Sequence, residues 1–271
     1  MHLLNLVSLY NGTMGTKTFF SFGIILVTAL LIPVFIGERA QNEFVSNDPF
    51  VLGMYYFNAD EDTHGPYDLV KARAHFEAVI AENPRGNAEV WYQLGRIDFL
   101  EGDFSAAIER FKTQIEYFGD TQPAAHYMLG LTYAYRARGN PHASDWQRAE
   151  KSFLHFNSLA PMAPWSRVDL AWIYFSQGKY QEMIPVLEEG LMYNSTNPWL
   201  LNMYGLALLN TDDIVRAQDA FAEAHEYASV LTVSEWGASY PGNDPASWEE
   251  GLVSFREVIA HNLEVTRARM Q

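Results

Sequence analysis

Asp60, Asp62, His64, Gly65 and Asp68 stand at the spacing of a calcium loop, in which alternate oxygens converge on one ion. The twelfth place of such a loop should hold a bidentate glutamate, and here it holds Lys71. A cation there opposes binding, so the stretch reads as a solvated acidic loop. The eight histidines contain no HExxH and no pair spaced i, i+4, so neither helical zinc pattern is present. There is no G-x-S-x-G elbow, no P-loop and no dinucleotide-binding glycine pattern. Glu188-Glu189 and Glu249-Glu250 are adjacent carboxylates, but neighbours on a helix point apart and cannot act as a dyad. The expectation is a non-enzymatic chain with no cofactor and no metal.

What remains is patterned for packing. Residues 91–111 read WYQLGRIDFLEGDFSAAIERF, two amphipathic helices joined at Gly102. Leu94-Gly95 follows Trp91 by one turn, and Ala107 and Phe111 lie four apart. Gly95 would let the first helix approach the second, Gly102 tolerates a left-handed turn, and Phe111 fills the gap toward the next unit. This order resembles the tetratricopeptide repeat (TPR), a helix-turn-helix unit of about 34 residues that needs stacked neighbours to bury its apolar face.

The same pattern recurs. Leu52-Gly53 with Ala72 and Phe76, Leu129-Gly130 with Ala149 and Phe153, Leu170-Ala171 with Met183 and Leu187, and Gly205 with Ala217 and Phe221 are its further copies. The resemblance covers residues 46–229. Units one and three each carry seven extra residues between their helices, around 60–68 and 137–144, where turn formers collect. Residues 236–245 read as a loop. From Ala246 to Arg269 one long amphipathic helix is expected, with Ser247 and Glu250 as its capping box and the end of the array as its seat.

Residues 19–37 carry no charge, and at about 1.5 Å per residue they would reach roughly 28 Å, a bilayer core. Cleavage after Ala40 would put Glu38 at −3, so an uncleaved membrane anchor is favoured over a signal peptide. Lys17 before the run leans toward a short cytoplasmic N-terminus and an extracytoplasmic body; a cleaved secreted or periplasmic form is the alternative. The net charge is −15, with 48% hydrophobic and 14% aromatic residues. Such a surface repels nucleic acid. Absence of cysteine excludes a disulfide framework.

The expected architecture is all-α: a right-handed TPR-type solenoid of about five helical hairpins with a C-terminal capping helix and an N-terminal transmembrane helix. The divisions are a tail (1–18), the anchor (19–37), a linker (38–45), the array (46–229) and the C-terminal loop and cap (230–271). In the resembled family one face of each first helix lines a concave groove. Carried onto this chain, that face implies a protein-binding groove at Tyr92, Arg96, Phe99, Tyr127, Tyr135, Trp165, Trp172, Phe175 and Trp199. The partner expected there is a protein or peptide with an apolar segment, since aromatic anchors dominate interfaces. The competing reading makes these aromatics packing, some covered by the chain's own C-terminal helix. The implied role is a membrane-anchored scaffold that assembles or holds an envelope complex; the alternative is a substrate-recruiting module of an envelope enzyme or secretion machine.

Overall fold

The turns of units two, four and five share one construction. Gly102, Gly178 and Asp212 each adopt positive φ (82°, 71° and 67°), and the residue after each returns an N–H to a carbonyl five positions back. Glycine has no Cβ to clash there, and aspartate is among the few other residues that tolerate the conformation. Asp103 and Asp213 then cap the following helices by accepting from Ala106 N–H and Arg216 N–H. Each of these turns folds a second helix back on the first, and those at Gly178 and Asp212 stand one repeat apart.

The structure, a computed structural model, describes residues 46–57, 67–139, 143–240 and 244–271. Within them the chain is all-helical, without strands. The hairpins are α1 (Pro49–Phe57) with α2 (Leu69–Glu82), α3 (Ala88–Leu100) with α4 (Phe104–Phe118), α5 (Ala124–Gly139) with α6 (Ala143–Leu159), α7 (Trp165–Ser176) with α8 (Tyr180–Tyr193), and α9 (Pro198–Asn210) with α10 (Ile214–Val230). Each helix packs chiefly on its chain neighbours, as in a solenoid. Two further helices, α11 (Val233–Ala238) and α12 (Trp248–Arg269), follow.

Within four hairpins a phenylalanine fills the space a side chain would need on the facing helix. A Cβ added to Gly95 would stand 2.6 Å from the Phe111 ring; Gly53 with Phe76 and Gly205 with Phe221 give 2.5 and 2.6 Å, and Gly130 with Phe153 gives 3.1 Å. All four rings are fully buried. Unit four lacks both partners at once: Ala171 replaces the glycine, Met183 and Leu187 replace the small residue and the ring, and all three are fully buried. Where the first helix carries the extra methyl of Ala171, the second carries Leu187, smaller than the ring of the other units.

Several expectations need correction. Residues 236–245 are not all loop: α11 takes in Trp236, which is 1% exposed. Ser247 makes no cap to α12, which begins at Trp248; the capping box lies instead at Thr232 and Glu235, at the head of α11. The extra length of unit three is mostly helix, with α5 running to Gly139 and α6 starting at Ala143. The 60–66 part of the unit-one insertion lies outside the described residues, while Asp68 caps α2 by accepting from Lys71 N–H. The expected anchor at 19–37 also lies outside them. Among the described residues no helix is long and apolar enough to cross a membrane.

Candidate functional site

The first helices of units two to five present one face each to a common hollow. On α3 that face carries Tyr92, Arg96 and Phe99; on α5 it carries Tyr127, Leu131 and Tyr135; on α7 it carries Trp165, Asp169 and Trp172; Trp199 opens α9. The spacing of three and four residues is the reason each set shares a face. The hollow is closed on one side by Trp236 and Tyr240, and Tyr67, just ahead of α2, adds to its wall. The result is a cavity of about 520 Å³, inside the range of ligand sites, roughly 300–1,000 Å³.

Eight of the nine residues expected at a groove line this cavity; Phe175 does not, and packs edge-on against Tyr180 instead. Their exposures differ. Trp165 is 53% exposed, whereas Trp172 is 4% exposed and wedged between Tyr135 and Trp146, so it is core and wall at once. Trp199 stacks on Phe255 at 5.0 Å and donates a 2.9 Å hydrogen bond to the Tyr240 hydroxyl. For Trp199, then, the C-terminal segment supplies the cover.

Three charged residues lie in the wall, Arg96, Asp169 and Asp244. Arg96, 7% exposed, stands over the Phe57 ring at 4.4 Å and donates to Gln93 at 2.8 Å. Burial lowers its pKa. Asp169 accepts a 2.7 Å hydrogen bond from the Tyr127 hydroxyl, and no lysine, arginine or histidine of the described residues pairs with it. Burial pushes its carboxyl up to about 6, against which the Tyr127 hydrogen bond works. Burial raises the phenols of Tyr127, Tyr135 and Tyr240, and the Asp169 charge adds to each. The cavity therefore joins aromatic faces, neutral hydroxyl donors and two carboxylates, Asp169 and Asp244. The aromatics were legible in the sequence; Asp169 was not, because a single acid on a helix carries no signal until its neighbours are known.

A second cluster lies elsewhere. Asp120 meets the Nε2 atoms of His126 and His155 at 2.7 and 3.4 Å, and the three donors lie within 4.8 Å of one another. Two imidazoles and a carboxylate are the donor types of a zinc-like site. A search for histidines within one helix could not find them, since they come from α5 and α6.

Tetratricopeptide repeat family profiles match residues 66–131 and 166–197. The fold is similar to the crystal structure of MamA, at a TM-score of 0.53 and 20% identity over 62% of this chain and 94% of that one. It is also similar to TTC0263, a thermophilic TPR protein of Thermus thermophilus, at 0.53 and 16% over 76% and 96%. Among curated proteins, the BBSome complex member BBS4 homolog of Drosophila melanogaster is 24% identical over 190 residues, 69% of this chain. The chain spans 38% of that relative's length. The described residues thus have the fold of a TPR-type helical solenoid.

Proposed function

We propose that this chain is a non-catalytic scaffold that binds a protein partner through an apolar segment seated in the aromatic groove. The observation that carries this reading is the convergence of Tyr92, Arg96, Phe99, Tyr127, Tyr135, Trp165, Trp172 and Trp199 on one cavity of about 520 Å³. A largely apolar cleft of this size with a few convergent polar groups is the first place to look for a binding site. The similarity to a BBSome complex member supports a place within a multi-protein assembly.

The charge-free run at 19–37 supports tethering to a membrane, and Lys17 before it supports an extracytoplasmic body, so the proposed assembly is an envelope complex. Two measurements test the proposal. Pull-down with the full chain should recover a protein that Trp165→Ala no longer retains. Carbonate washing should leave the full chain in the membrane fraction; release into the supernatant removes the anchor, and equal recovery by both variants removes the groove.

A further inference from the structure

An ionised carboxylate offers about four lone-pair sites, and Asp169 has one of them occupied, by Tyr127. Burying a charge without a counter-ion is costly, so a carboxylate lacking a cationic partner in a protein cavity calls for a cation supplied from outside. The walls say which kind. Trp165 and Trp172 stand four residues before and three after Asp169 on α7, and Tyr135 lies against Trp172 at 5.6 Å. Tyr135 and Tyr240 line the same cavity as Asp169. Ring faces attract organic cations. A bare metal ion would need several ligand groups converging on one point, and among the described residues such a convergence is found at Asp120, His126 and His155, not in this cavity.

We propose that the groove selects partner segments carrying a lysine or arginine side chain between apolar residues, with the basic group bonded to Asp169 and enclosed by Trp165, Trp172, Tyr135 and Tyr240. This rests on the groove reading above and adds the chemistry of its occupant. Arg96 does not compete for Asp169, being stacked on Phe57 and Tyr92 and bonded to Gln93. A cavity of about 520 Å³ exceeds one amine and suits several residues of a chain. The net charge of −15 attracts a basic segment from a distance.

The test begins with selection of random displayed heptapeptides on the immobilised full chain. The expected consensus has Lys or Arg flanked by apolar residues. Replacing that lysine by norleucine, its neutral isostere, should weaken binding tenfold or more. Asp169→Asn should cause the same loss with unchanged helical circular dichroism, and should bind the lysine and norleucine peptides alike. If Asp169→Asn fails to fold, the norleucine comparison on the wild type decides alone. A consensus without a base, or a norleucine peptide that binds as tightly, overturns the cation assignment and leaves the groove standing. A basic consensus indifferent to a folded Asp169→Asn overturns the role of Asp169. No enriched peptide at all overturns both.

Discussion

The Tyr127 hydroxyl bonds Asp169 across 42 positions of sequence, joining α5 to α7 through the wall of the cavity. The bond ties the first helices of successive repeats and orients the carboxylate. It does not neutralise it, and the folded protein keeps a charge where burial disfavours one.

That relationship predicts a pH signature. The carboxyl of Asp169 is raised from its ordinary 3.8 to about 6, so between these values the folded state holds the proton more tightly than the unfolded state. Stability from this group is complete below about pH 4 and is lost as pH rises through 6. Asp169→Asn has no charge to bury. With allowance for the open side of the carboxylate, it should be more stable than wild type at pH 8 by on the order of 1–2 kcal/mol. The difference should close near pH 4. Urea melts of both proteins at the two pH values check this, and a pH-independent difference would refute the burial argument.

Gly95 and Phe111 predict a rescue. Gly95→Ala gains about 0.5–1 kcal/mol of helix propensity but drives a methyl to within 2.6 Å of a fully buried ring. Overpacking should win, for a net loss of about 1–2 kcal/mol. Unit four already carries the compensated pair, Ala171 with Leu187. Phe111→Leu on the Gly95→Ala background should therefore cost less than Phe111→Leu alone. Additive losses in the double variant would mean that the two sites do not couple.

Much of this was legible in the chain. Gly95, Ala107 and Phe111 announce a hairpin because their sizes must complement one another across a contact, and size is written in residue type. Trp165 and Trp172 are visible as large aromatics for the same reason. What depends on the path of the backbone was not legible. The convergence of His126, His155 and Asp120, the cover that Tyr240 gives Trp199, and the turn of Phe175 toward Tyr180 are set by how separate helices meet. Ser247 and Glu250 fit a capping box by spacing, yet Pro245 and the Asp244 cap direct that stretch into a 3-10 turn and leave the pattern unused.

Trp165 and Trp172 should behave oppositely although both line the cavity. Trp172 is 4% exposed, and its truncation to alanine should lower folding stability by about 3–5 kcal/mol. Trp165 is 53% exposed, so its truncation should leave the melting temperature close to wild type while weakening partner binding by about 2 kcal/mol. Thermal melts run beside a pull-down separate the two. A large melting loss for Trp165→Ala would assign it to the core and count against recognition at the mouth.

Arg256 predicts how the C-terminal helix is held. From α12 its guanidinium reaches back across the end of α10 and donates to the carbonyls of Ala228, Ser229 and Leu231 at 2.9, 2.9 and 2.7 Å. The last carbonyls of a helix have no intrahelical partner, and here a side chain from α12 serves them. A second tie, Asn262 to Asn202 at 2.9 Å, is fully enclosed between α12 and α9. Arg256→Ala should cost about 2 kcal/mol, and Arg256→Lys should recover only part of it, because an ammonium cannot present the planar fork that reaches three carbonyls. Hydrogen exchange locates the effect: protection should fall in α11 and α12 before it falls in α3 to α8. Uniform loss along the chain would instead mean that α12 and the repeats unfold as one unit.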